Sequence, residues 1–138
     1  MTEKIIDVSN LEKALETLQR SMLTLEDNKQ CYFVDMLEDS CIKRFEYTLE
    51  TSWKLMKRVL KSVYGKSDAE LTINNIFRFM QGYGFITNWE NWRTYYEQRN
   101  NTAHEYNLMK AHALVKIIPQ FMCDVVELLQ NLKDELEC

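Results

Sequence analysis

From residue 108 to residue 136 the apolar residues keep a strict rhythm. Leu108, Ala111, Val115, Ile118, Met122, Val125, Leu129, Leu132 and Leu136 alternate steps of three and four. Only a helix turns that rhythm into one continuous seam, because three and four residues bracket a helical turn. The sequence therefore predicts a helix over 108–137, with Asn107 as its N-cap. Pro119 lies inside and removes one backbone donor, which predicts a kink. A seam this long must be covered, either by the rest of the chain or by a second copy; the rhythm does not choose between them.

Four earlier segments read the same way. Over 9–27, Leu11, Leu15, Leu18, Met22 and Leu25 form one stripe, and Ser9 with Glu12 has the spacing of a capping box. Over 30–64 the stripe is Ile42, Phe45, Leu49, Trp53, Met56, Leu60 and Val63. That helix would span about 50 Å, with a break expected, if anywhere, at Asp39–Ser40. Gly65 is its stop. A short helix over 72–81 starts at Thr72. Another over 89–101 starts after Asn88, with a stripe of Trp89, Trp92 and Tyr96 that Arg99 continues. Three glycines and one proline among 138 residues leave little material for the tight turns of a sheet. The predicted fold is all-α: an antiparallel up-and-down bundle of about five helices in one domain, 1–138.

Composition narrows the function classes. No stretch approaches the ~18 apolar residues of a membrane span, and the N-terminus shows no signal-peptide pattern. The net charge of −4 argues against broad, sequence-blind nucleic-acid binding but leaves room for a local basic groove. Cys31, Cys41, Cys123 and Cys138 form no C-x-x-C pair, and no histidine stands at ligand spacing from them. They read as reduced thiols of a cytoplasmic protein, with no metal site and no cofactor.

The chemistry-bearing stretch is Arg99-Asn100-Asn101-Thr102-Ala103-His104-Glu105-Tyr106. It fills the gap between the last two predicted helices, with Arg99 on the last turn of one and His104 and Tyr106 on a connecting loop or at helix ends. Arginine offers a fixed fork of donors to phosphate or carboxylate. Histidine titrates near neutrality and can serve as acid or base. The plainer reading has Arg99 bonding the carbonyls at a helix end, His104 capping a turn and Tyr106 packing as a staple. Spacing alone favours the plainer one.

Two motifs add a resemblance. Arg99, His104 and Tyr106 have the R-x4-H-x-Y spacing of the HEPN superfamily branch paired with minimal nucleotidyltransferases. Arg44-Phe45-Glu46-Tyr47-Thr48-Leu49-Glu50 followed by Trp53-Lys54 and Leu60 is similar to that family's second-helix motif. Trp92 to His104 matches its W-x6-R-N-x-T-x-H run. The chain thus resembles the nucleotidyltransferase substrate-binding protein family over nearly its whole length. It departs at 66–70, where relatives often have Ser-Pro-Arg, and at Ala103, where they often have Ser.

The resemblance implies a homodimer that partners a minimal nucleotidyltransferase encoded nearby, with RNA or a nucleotide as ligand. In its toxin–antitoxin form it implies metal-independent RNA cleavage, with His104 as acid/base, Arg99 on the scissile phosphate and Asn100 orienting the pair. Thr102 and Glu46 would support them, and AMP transfer to Tyr106 would silence the site. In its older form it implies a non-catalytic subunit that binds the nucleotidyltransferase substrate.

Other residues read more plainly. Lys54, Lys57, Arg58 and Lys61 read as a solvated face, with a phosphate track as the alternative. Glu50 and Lys54 look like a surface pair, His112 looks structural, and the three tryptophans look like core or interface.

Overall fold

The computed structural model describes residues 6–104 and 107–136, without the side chains of Ala103 and His104. Its α-helices are α1 Ser9–Asp27, α2 Val34–Ser62, α3 Ile73–Gly82, α4 Trp89–His104 and α5 Leu108–Glu135. A single 3-10 turn, Asp68–Glu70, precedes α3. The predicted bundle and all five helices are present. α1 packs on α2, α2 on α3 and α5, and α4 on α3 and α5.

Helix ends follow local chemistry, with one correction. Ser9 is the first helical residue of α1 and does not cap it; the Asp7 carboxylate accepts from its backbone N–H at 2.9 Å. A reciprocal capping box sits instead at Ser67 and Glu70, where Glu70 accepts from the Ser67 backbone at 2.8 Å and from its hydroxyl at 3.0 Å. Thr72 caps α3 and Asn107 caps α5, as the sequence predicts. Gly65 turns the chain out of α2 with a φ of +66°, and the Lys66 N–H closes on the Leu60 carbonyl at 3.0 Å. α2 is continuous through Asp39–Ser40.

The seam of α5 is the second correction. Its buried line is Ala111, Leu114, Ile118, Phe121, Val125, Leu128 and Leu132. It shares four positions with the predicted line but takes Leu114, Phe121 and Leu128 where the rhythm offered Val115, Met122 and Leu129. Two valid three-four threads run side by side on this helix, and ring volume decides between them. Phe121 fills the centre of the bundle, while Val115 and Met122 lie half-buried beside it. Leu129 is buried on the flank, and Leu108 is 54% exposed. The seam is therefore core within one chain. Pro119 lies on the exposed side, where water can reach the carbonyl it leaves unbonded, and α5 runs through it uninterrupted.

The core is a single cluster from Ile6 to Leu132. Rings from four helices meet at its centre. Phe121 of α5 packs edge-on against Phe45 of α2 at 4.8 Å, and against Tyr95 and Trp92 of α4 at 5.1 and 5.7 Å. Phe77 of α3 meets Trp92 at 5.9 Å. On the α1 side the Cys41 thiol is buried and donates to the Ser21 carbonyl at 3.3 Å. Burial, helped by the Glu38 charge, pushes this thiol up from 9.0 to about 11.

Three measurements check this packing. Phe121→Ala should cost about 3–5 kcal/mol in urea unfolding, and Met122→Ala about 1 kcal/mol; the reverse order would restore the seam predicted from the rhythm. Cys41 should resist iodoacetamide in the native protein while Cys31 and Cys123 react, as read by peptide mass mapping. Because its thiol is held neutral by folding, its contribution to stability is complete below about pH 9. That contribution should fade as the pH rises through about 11.

Candidate functional site

The placement of α4 begins well before its functional residues. The Asn88 side chain accepts from the N–H groups of Glu90 and Asn91 at 3.0 and 3.2 Å, and Gln81 accepts from that of Trp89 at 2.8 Å. The preceding link is tied to α5. Thr87 donates from its N–H and its hydroxyl to the Glu127 carboxylate at 2.8 and 2.6 Å, and Asn131 donates to the Phe85 carbonyl at 2.8 Å. Trp92 and Tyr95 then bury against α3 and α5. The Tyr95 hydroxyl donates to the Asp124 carboxylate, and burial together with that carboxylate holds the phenol well above its ordinary range.

With Tyr95 committed to the core, Tyr96 and Arg99 come to face α2. There Glu46, Leu49, Glu50 and Trp53 recur at helical spacing, and the six side chains line a cavity of about 80 Å³. The Arg99 Nε lies 3.7 Å from the Glu46 carboxylate, and its Nη1 donates to the Asn100 side-chain oxygen at 3.3 Å. Among the described residues these contacts engage only part of the five guanidinium N–H groups. Glu50 is paired with Lys54 at 2.9 Å along the helix surface. The cavity thus offers a cation, two carboxylates and two aromatic walls over an apolar floor. Among the described residues no group of three or more His, Cys, Asp or Glu side chains is placed to hold a metal ion.

The two sequence motifs, far apart in the chain, meet here. Glu46 and Arg99 face each other, and Asn100 touches Arg99. Thr102 does not line the cavity; it is buried and donates to the carbonyls of Gln98 and Arg99 at 3.3 and 2.9 Å. Of the two places expected for His104, a connecting loop or a helix end, it takes the helix end, as the final residue of α4. The correction concerns Arg99, which stands five residues before that end and not on the last turn. Its guanidinium turns to α2, not to the terminal carbonyls of the plainer reading. The His104 side chain and all of Tyr106 lie outside the described residues.

Tyr96, Trp53 and Glu50 were not singled out as site residues by the sequence reading. Positions 46, 49, 50 and 53 do carry the signal, since they share one face of a helix. Elsewhere, His112 Nδ1 lies 3.0 Å from Glu38 and joins α5 to α2, in keeping with a structural role. Trp89 lies beneath the guanidinium groups of Arg78 and Arg93, at 4.5 and 5.8 Å.

Comparison with known proteins gives this geometry a family. Residues 6–134 match the model described as nucleotidyltransferase substrate binding protein like. The chain belongs to this family. The Probable ribonuclease HepT of Haemophilus influenzae is 28% identical over 140 residues, covering 96% of this chain and 95% of the relative. A Haemophilus influenzae structure described as the fold of a substrate binding domain of a nucleotidyltransferase superposes with a TM-score of 0.83. It is 26% identical and covers 92% of this chain and 99% of its own. A Thermus thermophilus crystal structure at 22% identity and a TM-score of 0.65 shares the fold over 83% of this chain and 98% of its own. No helix among the described residues is long and apolar enough to cross a membrane.

Proposed function

We propose that this family member is the HEPN-type partner of a minimal nucleotidyltransferase and a metal-independent endoribonuclease acting as a homodimer. The observation that carries the reading is the meeting of Glu46 and Arg99 in one aromatic-walled cavity, which joins the second-helix motif to the R-x4-H-x-Y motif. The likeness to a protein named as a probable ribonuclease supports it.

The chemistry follows from what RNA offers. A base takes the proton of the 2′-hydroxyl, the 2′-oxygen attacks the adjacent phosphorus, and the bond to the 5′-oxygen breaks. An acid returns a proton to that leaving oxygen, giving a 2′,3′-cyclic phosphate and a 5′-hydroxyl. Arg99 binds the phosphate and stabilises its developing charge. Asn100 holds the guanidinium, and Glu46 positions it from across the cavity. His104 serves as acid/base. One chain carries one R-x4-H motif, and a two-fold axis brings two copies together, so one His104 removes a proton while the other delivers one. AMP transferred to Tyr106 by the nucleotidyltransferase would place phosphate charge and an adenosine two residues from His104 and block RNA entry.

The family description and the Haemophilus structure favour a second reading, a non-catalytic subunit that binds the nucleotidyltransferase substrate in the same cavity.

Purified protein should cut RNA in EDTA. Arg99→Ala and His104→Ala should each lower the rate by at least about 100-fold while leaving the melting temperature within a few degrees. Intact wild-type cleavage in His104→Ala would end the ribonuclease reading. Co-purification with the nucleotidyltransferase and nucleotide binding, with no RNA cleavage by wild type, would establish the second. Mass spectrometry after co-expression reads AMP on Tyr106.

A further inference from the structure

The outer face of α2 carries a second constellation that the cavity does not use. Arg44, Tyr47, Thr51, Lys54, Arg58 and Lys61 recur in steps of three and four, which makes one stripe about 25 Å long. All but the half-buried Thr51 are exposed, and Tyr47 keeps 56% of its surface. Between Thr51 and Ser62 there are four cations and no carboxylate, in a chain whose net charge is −4.

Two continuous depressions follow this stripe. One, of about 290 Å³, is lined by Tyr47, Thr51, Lys54 and Arg58 with Asp7 and Asn10 on its far wall. The next, of about 330 Å³, is lined by Lys54, Lys57, Arg58, Lys61 and Ser62. Lys57 and Lys61 reach Asp68 at 3.7 and 2.9 Å, and Lys54 reaches Glu50. All three are exposed ion pairs, which hold their partners weakly and yield to a stronger anion. The cavity with Arg99 opens on the neighbouring face of the same helix, and Lys54 stands between the two.

We propose that this stripe is a track for single-stranded RNA that leads the strand's phosphates along α2 toward Arg99, with Tyr47 as a platform for one base. The choice of RNA rests on the ribonuclease reading of the neighbouring cavity. The residue types are those such a track requires: cations at intervals for phosphates, an exposed ring for stacking, and a hydroxyl between them. A solvated surface would require only the charges.

The probe is a fluorescein-labelled 2′-O-methyl oligouridylate, which cannot be cut through the 2′-oxygen, so binding is read apart from cleavage. Lys57→Gln/Arg58→Gln/Lys61→Gln should weaken binding at least about tenfold and flatten the slope of log affinity against log salt by about 2. Arg58→Gln alone disturbs none of the ion pairs above and should flatten the slope by about 0.7. Tyr47→Ala should weaken binding several-fold with the slope unchanged. Lys13→Gln with Lys116→Gln, elsewhere on the surface, should change nothing.

Equal affinity and slope in the triple variant would overturn the track, as would failure of wild type to bind the oligonucleotide. RNA held on the stripe but never cut would keep the track and remove the ribonuclease reading. Cleavage with unchanged KM in the triple variant would do the opposite. Loss of nucleotidyltransferase co-purification in the triple variant, with RNA affinity intact, would assign the stripe to the protein partner and overturn it.

Discussion

Phe121 is the contact on which the positions of α2, α4 and α5 depend. Its ring meets Phe45, Trp92 and Tyr95 edge-on, an arrangement in which ring edges face ring faces and rotation of either partner costs contact. Phe45 precedes Glu46 in the chain, and Tyr95 precedes Tyr96. Fixing the two buried rings fixes the next residues of α2 and α4 toward each other. The cavity is thus a consequence of the core one residue away, and its walls inherit the order of that core.

The polar side of the site is built loosely by contrast. A guanidinium 3.7 Å from a carboxylate, with one side-chain oxygen as its other partner among the described residues, sits well short of bidentate pairing. Both groups are partly solvated, Arg99 at 40% and Glu46 at 24% side-chain exposure. An incoming phosphate therefore displaces little. It gains a donor fork already aimed by the aromatic packing, so most of the cost of ordering that side chain is met by folding.

Much of this was legible in the sequence because helical spacing is local. Every helix, the caps at Thr72, Asn88 and Asn107, and the stop at Gly65 rest on residues within one or two turns. The meeting of Glu46 with Arg99 was legible only as two motifs of one family. Nothing in spacing says which helices are neighbours. The errors have the same root. On α5 two apolar threads satisfied the same rhythm, and the choice between Phe121 and Met122 belongs to the volume left by Phe45 and Trp92. At Ser9 a cap was read from residue types, while backbone entry gave the acceptor role to Asp7. The extent of α4 was underestimated because Asn100, Asn101 and Thr102 are poor helix formers. Thr102 is nevertheless buried and bonded to the turn before it, where tertiary contact outweighs propensity.

The unbroken course of α2 has a consequence for how such a protein can change over generations. Its 29 residues contain neither glycine nor proline, so an inserted or deleted residue within it has no ready-made break at which to be absorbed. One added residue after Glu46 would turn everything beyond it by about 100°. That would swing Trp53 away from Tyr96, and Lys54 with Arg58 away from Asp7 and Asn10, at once. Substitutions can tune either face independently, but length cannot vary there. Drift in chain length is confined to the segments outside the rod, such as the stretch from Gly65 to Thr72, which is where this chain departs from the Ser-Pro-Arg pattern of its relatives.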